Sequence, residues 1–259
     1  MGVFLFDKII FGPVKSRRLG VSLGINLLPV DEKFCNFNCI YCECGWSKDL
    51  KAQNIIFHDA ELVIETLEMK LDEMKLNNEP LDVITYAGNG EPTLHPKFDL
   101  IIEETIRLRN EFFPKAKIAV LSNATTLHNA KKVAALKLID QNILKLDSAF
   151  IDTIKLLNAP QGKYDLNKLI AQFISFEGNL IIQTMFVKGT YNQQTVDNST
   201  DLEVNAWLQL IEKVKPKQVM IYTIARDTPV DTLEKVSIER LNEIAEKVKA
   251  FGIEVQVSG

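Results

Sequence analysis

Cysteine is scarce in this chain of 259 residues: there are four, at positions 35, 39, 42 and 44, and none elsewhere. A disulfide framework spreads its cysteines so that each bridge closes a long loop. This crowding excludes one and points to a metal or cluster in a reducing compartment. Long apolar runs are missing as well. No stretch approaches the roughly 20 apolar residues that cross a bilayer. The apolar N-terminus meets Asp7 and Lys8 after six residues, lacks a basic n-region and has no small-residue cleavage site, so it does not read as a secretory signal. Phe6 stands where a myristoylation pattern wants Ser or Thr. These absences predict a cytoplasmic protein without membrane association. Basic charge is not in excess either: 30 Lys and Arg against 34 Asp and Glu give a net charge of −4, which argues against a dedicated nucleic-acid binder. A local exception is residues 1–20, where Lys8, Lys15, Arg17 and Arg18 face Asp7 alone.

What is present is an ordinary globular composition, 46% hydrophobic and 25% charged. The chain alternates strand and helix. Strands are expected over 19–28, 81–86, 117–121, 142–146, 179–187 and 218–223, with a possible seventh over 253–257. Asp59 reads as the cap of a helix carrying Val63, Leu67, Leu71 and Met74 on one face, and Ser237 caps a last helix with Leu241, Ile244, Ala245 and Val248. Further helices are expected from Pro96, over 130–138 and 166–174, and around Val204 to Ile211. The strands are continuous apolar runs, as in a parallel sheet with both faces covered. With no linker, repeat or low-complexity stretch, this predicts one α/β domain over 1–259. Its core is about 19–230, preceded by an N-terminal segment, 1–18, and followed by a C-terminal helix and possible strand, 231–259. An open or partial β/α barrel fits, with a doubly wound sheet as competitor. In both, chemistry belongs at the C-terminal strand ends. There lie Cys35 to Cys42, Gly88 to Pro92, Ser122-Asn123, Asp147-Ser148 and Arg226-Asp227.

Cys35, Cys39 and Cys42 are separated by three and two residues. The loop is too short for two-plus-two zinc knuckles, and it does not follow the bacterial ferredoxin spacing. Three thiolates can hold one face of a cubane cluster, which leaves an iron without a protein ligand. Cys44 is then spare, and reads as a buried small hydrophobe. Phe37 and Trp46 are expected to pack around the cluster. The stretch Gly88-Asn89-Gly90-Glu91-Pro92 offers small residues at a strand end, where backbone can approach a ligand closely. Glu91 is an acceptor-only carboxylate suited to an ammonium. Thr93 replaces the third glycine of a dinucleotide fingerprint, which makes that reading unfavourable. None of His58, His95 and His128 has a partner pattern that would give it a catalytic role.

Cys35-x3-Cys39-x2-Cys42, with Tyr41 before the third cysteine, resembles the signature of the radical S-adenosylmethionine (SAM) superfamily, and Gly88 to Pro92 resembles its Gly-Gly-Glu-Pro motif, with Asn89 in place of the second glycine. The resemblance implies a partial (β/α)6 barrel and a [4Fe–4S] cluster held by Cys35, Cys39 and Cys42. It implies SAM on the open iron, with Gly88, Asn89, Gly90, Glu91 and Pro92 at its methionine amino group. Ser122 and Asn123 would lie near its ribose, and Tyr41, Asp147 and Gln183 would face the cofactor. Residues 11–29 and 222–229 look like a group of short iron–sulfur oxidoreductases similar to wyosine-type tRNA base synthetases, and the resemblance covers about 9–230. It implies an external one-electron reductant of flavodoxin or ferredoxin type and a hydrogen-abstracting enzyme. The absence of further cysteines argues against a second cluster. The substrate is expected to be an RNA base, with a glycyl-radical enzyme or a small polar metabolite near Arg17, Arg18 and Arg226 as alternatives. A non-catalytic iron–sulfur sensor or electron carrier is the rival class, and it has no need of the Gly88 to Pro92 element.

Overall fold

The computed structural model describes residues 4–16, 18–48 and 55–259. Its main sheet contains, in spatial order, β1 (Ile10–Ser16), β2 (Gly20–Ile25), β3 (Val83–Tyr86), β4 (Lys117–Ser122), β5 (Gln141–Lys145), β6 (Ile181–Met185), β9 (Gln218–Tyr222) and β11 (Glu254–Ser258). All but β1 run parallel. The sheet curls into a half-barrel. A smaller antiparallel sheet joins β7 (Val187–Tyr191), β8 (Gln194–Asp197) and β10 (Leu233–Lys235). The helices are α1 (Ala60–Leu76), α2 (Phe98–Phe112), α3 (Ala130–Leu138), α4 (Ile151–Asn158), α5 (Leu166–Ile174), α6 (Asp201–Val214) and α7 (Ile238–Lys249). No helix among the described residues is long and apolar enough to cross a membrane.

The apolar strand runs are explained by their two faces. Alternate residues point oppositely along a strand. Ile84, Ile118, Val120, Leu144, Ile182, Val219 and Ile221 belong to the large core shared with the helices. Val83, Ala119, Ile143, Ile181 and Met220 form a separate small cluster, with Leu19 and Leu121 packed against it. Both faces are thus out of water. α1 buries Val63, Leu67, Leu71 and Met74, and the Asp59 carboxylate accepts from the Glu61 amide at 2.9 Å. The Ser237 hydroxyl caps α7 by accepting from the Arg240 amide at 3.2 Å.

All seven expected strands are present, and the last pairs with β9. Several are shorter than expected: β2 covers Gly20–Ile25 of 19–28, β3 Val83–Tyr86 of 81–86, and β6 only Ile181–Met185. The apolar run 179–187 ends its pairing at Met185, and Val187 starts the smaller sheet. Asn198 forces the break. Its amide donates to the carbonyls of Met185 and Asp147, both at 2.8 Å, and its oxygen accepts from the Val187 amide at 2.9 Å. These bonds take the place of a continuing ladder. The structure also adds β1, the small sheet and α4, none of them expected from the sequence.

Trp207 on α6 is buried, donates from its indole nitrogen to the Leu146 carbonyl at 3.1 Å and meets Phe186 edge-on at 5.5 Å. Trp207→Ala is expected to cost about 3–5 kcal/mol in urea unfolding; a loss below about 1 kcal/mol would contradict this packing.

Candidate active site

The cysteine loop has little regular structure of its own, and its backbone is satisfied by two neighbours. On one side the Phe34 amide donates to the Asn89 carbonyl at 2.8 Å, and the Glu91 amide donates to the Phe34 carbonyl at 3.1 Å. On the other, the amides of Asn38 and Ile40 donate to the carbonyls of Asn158 and Leu157, each at 2.9 Å, and the Gln161 amide donates to the Asn36 carbonyl at 2.8 Å. The loop is therefore strung between the end of β3 and the end of α4. Gly90 makes the first contact possible. At φ +141° it occupies a region that disfavours side chains, and a Cβ there would lie 1.8 Å from the Phe34 carbonyl oxygen.

These attachments bring Cys35, Cys39 and Cys42 to the wall of one cleft of about 200 Å3, with Gly88, Gly90 and Glu91 opposite them and Ser122, Asn123, Lys145 and Gln183 from the ends of β4, β5 and β6. Cys44 does not line this cleft; its thiol reaches the Gly88 carbonyl at 3.5 Å. No three His, Cys, Asp or Glu among the described residues converge as on a single ion. A cubane gives each thiolate its own iron and so tolerates a wider spread. The charges suit an anionic cluster. Lys33 is 4% exposed and donates to the Gly45 carbonyl at 2.7 Å. Burial opposes its charge, yet the thiols of Cys42, Cys35 and Cys39 outweigh burial and raise its pKa. Lys145 is half-buried; desolvation opposes its charge as well, and Asp147, Tyr222, Cys39 and Cys42 raise its pKa nonetheless. Burial pushes the Cys39 thiol up, with the Lys145 and Lys33 ammoniums acting against it. The donor set and its surroundings fit a three-thiolate cluster.

Behind the cysteines lies a buried polar network. The Tyr41 hydroxyl donates to the Asp147 carboxylate and accepts from Lys145 at 3.0 Å and from Asn158 at 2.9 Å. Asn158 also donates to Asp147 at 2.7 Å and lies 3.4 Å from the Cys39 sulfur. Asp147 accepts in addition from the Met185 amide at 3.0 Å. Burial and Asp147 hold the Tyr41 hydroxyl well above its usual range, so it remains a donor. Asp147 thus fixes Tyr41 and the strand end, and does not itself line the cleft.

Several expected cofactor contacts have other duties. The Glu91 carboxylate accepts from the Thr93 amide at 3.1 Å, the Thr93 hydroxyl at 2.5 Å, the Ser122 hydroxyl at 2.8 Å and the Asn123 amide at 2.6 Å. Three of these donors fall on Oε1 and one on Oε2, so Glu91 ties its loop to the end of β4 while its carboxylate stays in the cleft wall. Ser122 gives its hydroxyl hydrogen to Glu91. The Asn123 side-chain Nδ2 donates to the Asn36 side-chain oxygen at 2.7 Å and lies 3.6 Å from the Cys35 sulfur. Asn89 faces away from the cleft, donating to the carbonyls of Phe6 and Pro29 at 2.9 and 2.8 Å and accepting from the Phe6 amide at 2.8 Å. Pro92 opens a turn of 3-10 helix and is also outside the cleft. Of the expected substrate arginines, Arg226 pairs with Glu43 at 2.6 Å, Arg18 lies over the Tyr222 ring at 4.8 Å, and Arg17 lies outside the described residues. Lys33, Asn36 and Asn158 were not expected at the site. The apolar spacing of Ile151, Ile154 and Leu157 on α4 is too short a run to have marked the helix that carries Asn158.

The radical SAM superfamily model matches residues 33–168, from the cysteine loop to the start of α5. The chain belongs to the radical SAM superfamily. A UPF0026 protein of Helicobacter pylori is 33% identical over 84% of this chain and 67% of its own length. A Brachyspira hyodysenteriae protein named GTPase Obg is 29% identical over 98% of this chain, which spans only 35% of that protein. A radical SAM methyltransferase from Sphaerobacter thermophilus superposes with a TM-score of 0.65 at 16% identity, over 92% of this chain and 65% of that one; at that identity the likeness concerns the fold.

Two expectations follow for this site. Reconstituted protein should carry about four irons and four sulfides, Cys35→Ala and Cys39→Ala should lose them, and Cys44→Ala should retain them; cluster loss in the Cys44 variant would contradict the geometry. Glu91→Ala leaves Ser122 and the Asn123 amide without their acceptor. It should lower the stability of the cluster-free protein by about 1–3 kcal/mol; an unchanged melting temperature would show that Glu91 is not the tie described.

Proposed function

We propose that this chain is an enzyme that cleaves SAM reductively and uses the resulting radical to take a hydrogen atom from a substrate. The observation that carries this reading is the convergence of Cys35, Cys39 and Cys42 with the Gly88–Glu91 loop on one cleft at the C-terminal strand ends. When bound, a [4Fe–4S] cluster supplied with one electron by a flavodoxin- or ferredoxin-type donor would convert SAM to methionine and a 5′-deoxyadenosyl radical.

The chain's part is binding, positioning and exclusion of water. Three thiolates would hold the cluster, while Lys33 and Lys145 offset its charge. Gly88 and Gly90 keep the opposite wall bare of side chains. Glu91 and Asn123 keep that wall in register with the cysteines, and Gln183 offers an amide from β6. Phe37, Ala87 and Leu121 give the lining its apolar part. The free thiols agree with a reducing cytoplasm. For the substrate, resemblance to wyosine-type synthetases supports an RNA base, and the inward turn of Arg18 onto Tyr222 supports a small acidic molecule instead.

Incubation of the reconstituted protein with dithionite and SAM should release 5′-deoxyadenosine, and the Cys39→Ala variant should release none. Intact cluster content without SAM binding or 5′-deoxyadenosine would favour a sensor or electron carrier and overturn the enzymatic reading.

A further inference from the structure

Arg18 stands in the turn between β1 and β2, and the turn is fixed on both sides. The Ser16 hydroxyl accepts from the amides of Arg18 and Leu19 at 3.3 and 3.2 Å, and Gln256 on β11 donates to the Arg18 carbonyl at 3.2 Å. The side chain rests on Tyr222 at the end of β9, guanidinium to ring centroid 4.8 Å. Its Nη1 is buried and has no hydrogen-bond partner among the described residues.

This arginine differs from the others described. Arg107, Arg109, Arg226 and Arg240 each hold at least one carboxylate, whereas Arg18 makes no ion pair among the described residues. It borders a cavity of about 80 Å3 that also touches Tyr41, Glu43, Tyr222 and Arg226. Glu43 and Arg226 pair with each other at 2.6 Å, so Arg18 supplies the cavity's uncompensated charge. Tyr41 belongs to the walls of both this cavity and the cysteine cleft. A molecule anchored here therefore extends towards the cleft.

A buried guanidinium donor without an acceptor is costly, and its planar fork suits a carboxylate or phosphate. We propose that Arg18, seated on Tyr222, receives a carboxylate or phosphate group of a small-molecule substrate. The proposal rests on the reading of the adjacent cleft as the SAM and cluster site. The small size of the cavity and its single unpaired cation favour a small molecule over RNA, whose backbone is gripped by several surface cations at once.

The test is calorimetric titration of cluster-loaded full-length protein, at constant ionic strength, with acetate, inorganic phosphate and a ten-nucleotide single-stranded RNA. Wild-type protein should bind one small anion at one site. Arg18→Gln should weaken that binding at least about tenfold, and Arg18→Lys, which keeps the charge without the fork, by less. Preference for acetate would assign a carboxylic acid, and preference for phosphate a phosphate ester. Failure of the wild type to bind either anion, equal binding by Arg18→Gln, or Arg18-dependent RNA binding tighter than that of both anions would overturn the proposal. Iron content and SAM binding, measured on the same samples without added anion, separate this outcome from failure of the enzymatic reading. Arg18→Lys preserves the test if Arg18→Gln does not fold.

Discussion

The site depends on backbone hydrogen bonds that a loop cannot make with itself. Residues 33–48 carry most of the expected chemistry, yet contain no helix and only isolated bridges. Buried amides and carbonyls without partners would make such a loop untenable. Phe34 pairs with Gly90 in a parallel bridge, and Phe37 pairs with Pro160 in an antiparallel one. The two attachments set the loop's position between β3 and α4, and with it the three sulfurs. Gly90 is required because the first bridge brings backbone onto backbone at that residue.

Electrostatics adds the second constraint. A cluster on three thiolates brings negative charge into a site where Cys35 and Cys39 are already buried. Lys33 and Lys145 provide compensation from opposite parts of the chain, one before the cysteines and one at the end of β5. The two acids are held differently. Asp147 answers Lys145 at 3.5 Å and Tyr41 beside it. Glu91 has no cation at hydrogen-bond distance among the described residues. Burial raises its pKa and the Asn123, Thr93 and Ser122 donors oppose the rise, so its loop depends on neutral donors.

The parallel strands were legible because burial on both faces leaves apolar runs, and α1 and α7 because Asp59 and Ser237 mark their starts. α4 was not legible. It has eight residues, starts at Phe150 with no side-chain cap, and ends at Ala159, a non-glycine residue at φ +39°. β1 is interrupted by Gly12-Pro13, and β7, β8 and β10 are short and largely exposed. Within the site the cysteines announce themselves by spacing. Asn158 lies 119 residues from Cys39, and nothing local marks it as a neighbour. Glu91 is a second such case: its motif suggested a ligand contact, and nothing local showed that residues two and about thirty positions away also bond its carboxylate.

Cys35, Cys39 and Cys42 would hold the proposed cluster, with SAM as ligand to the iron that no cysteine takes. Pulsed electron–nuclear double resonance on the reduced, reconstituted protein tests it directly, using SAM labelled with nitrogen-15 at the amino group and oxygen-17 at the carboxylate. Hyperfine coupling from both labels is expected if SAM chelates the open iron. A reduced cluster that binds SAM and shows coupling from neither label would contradict it.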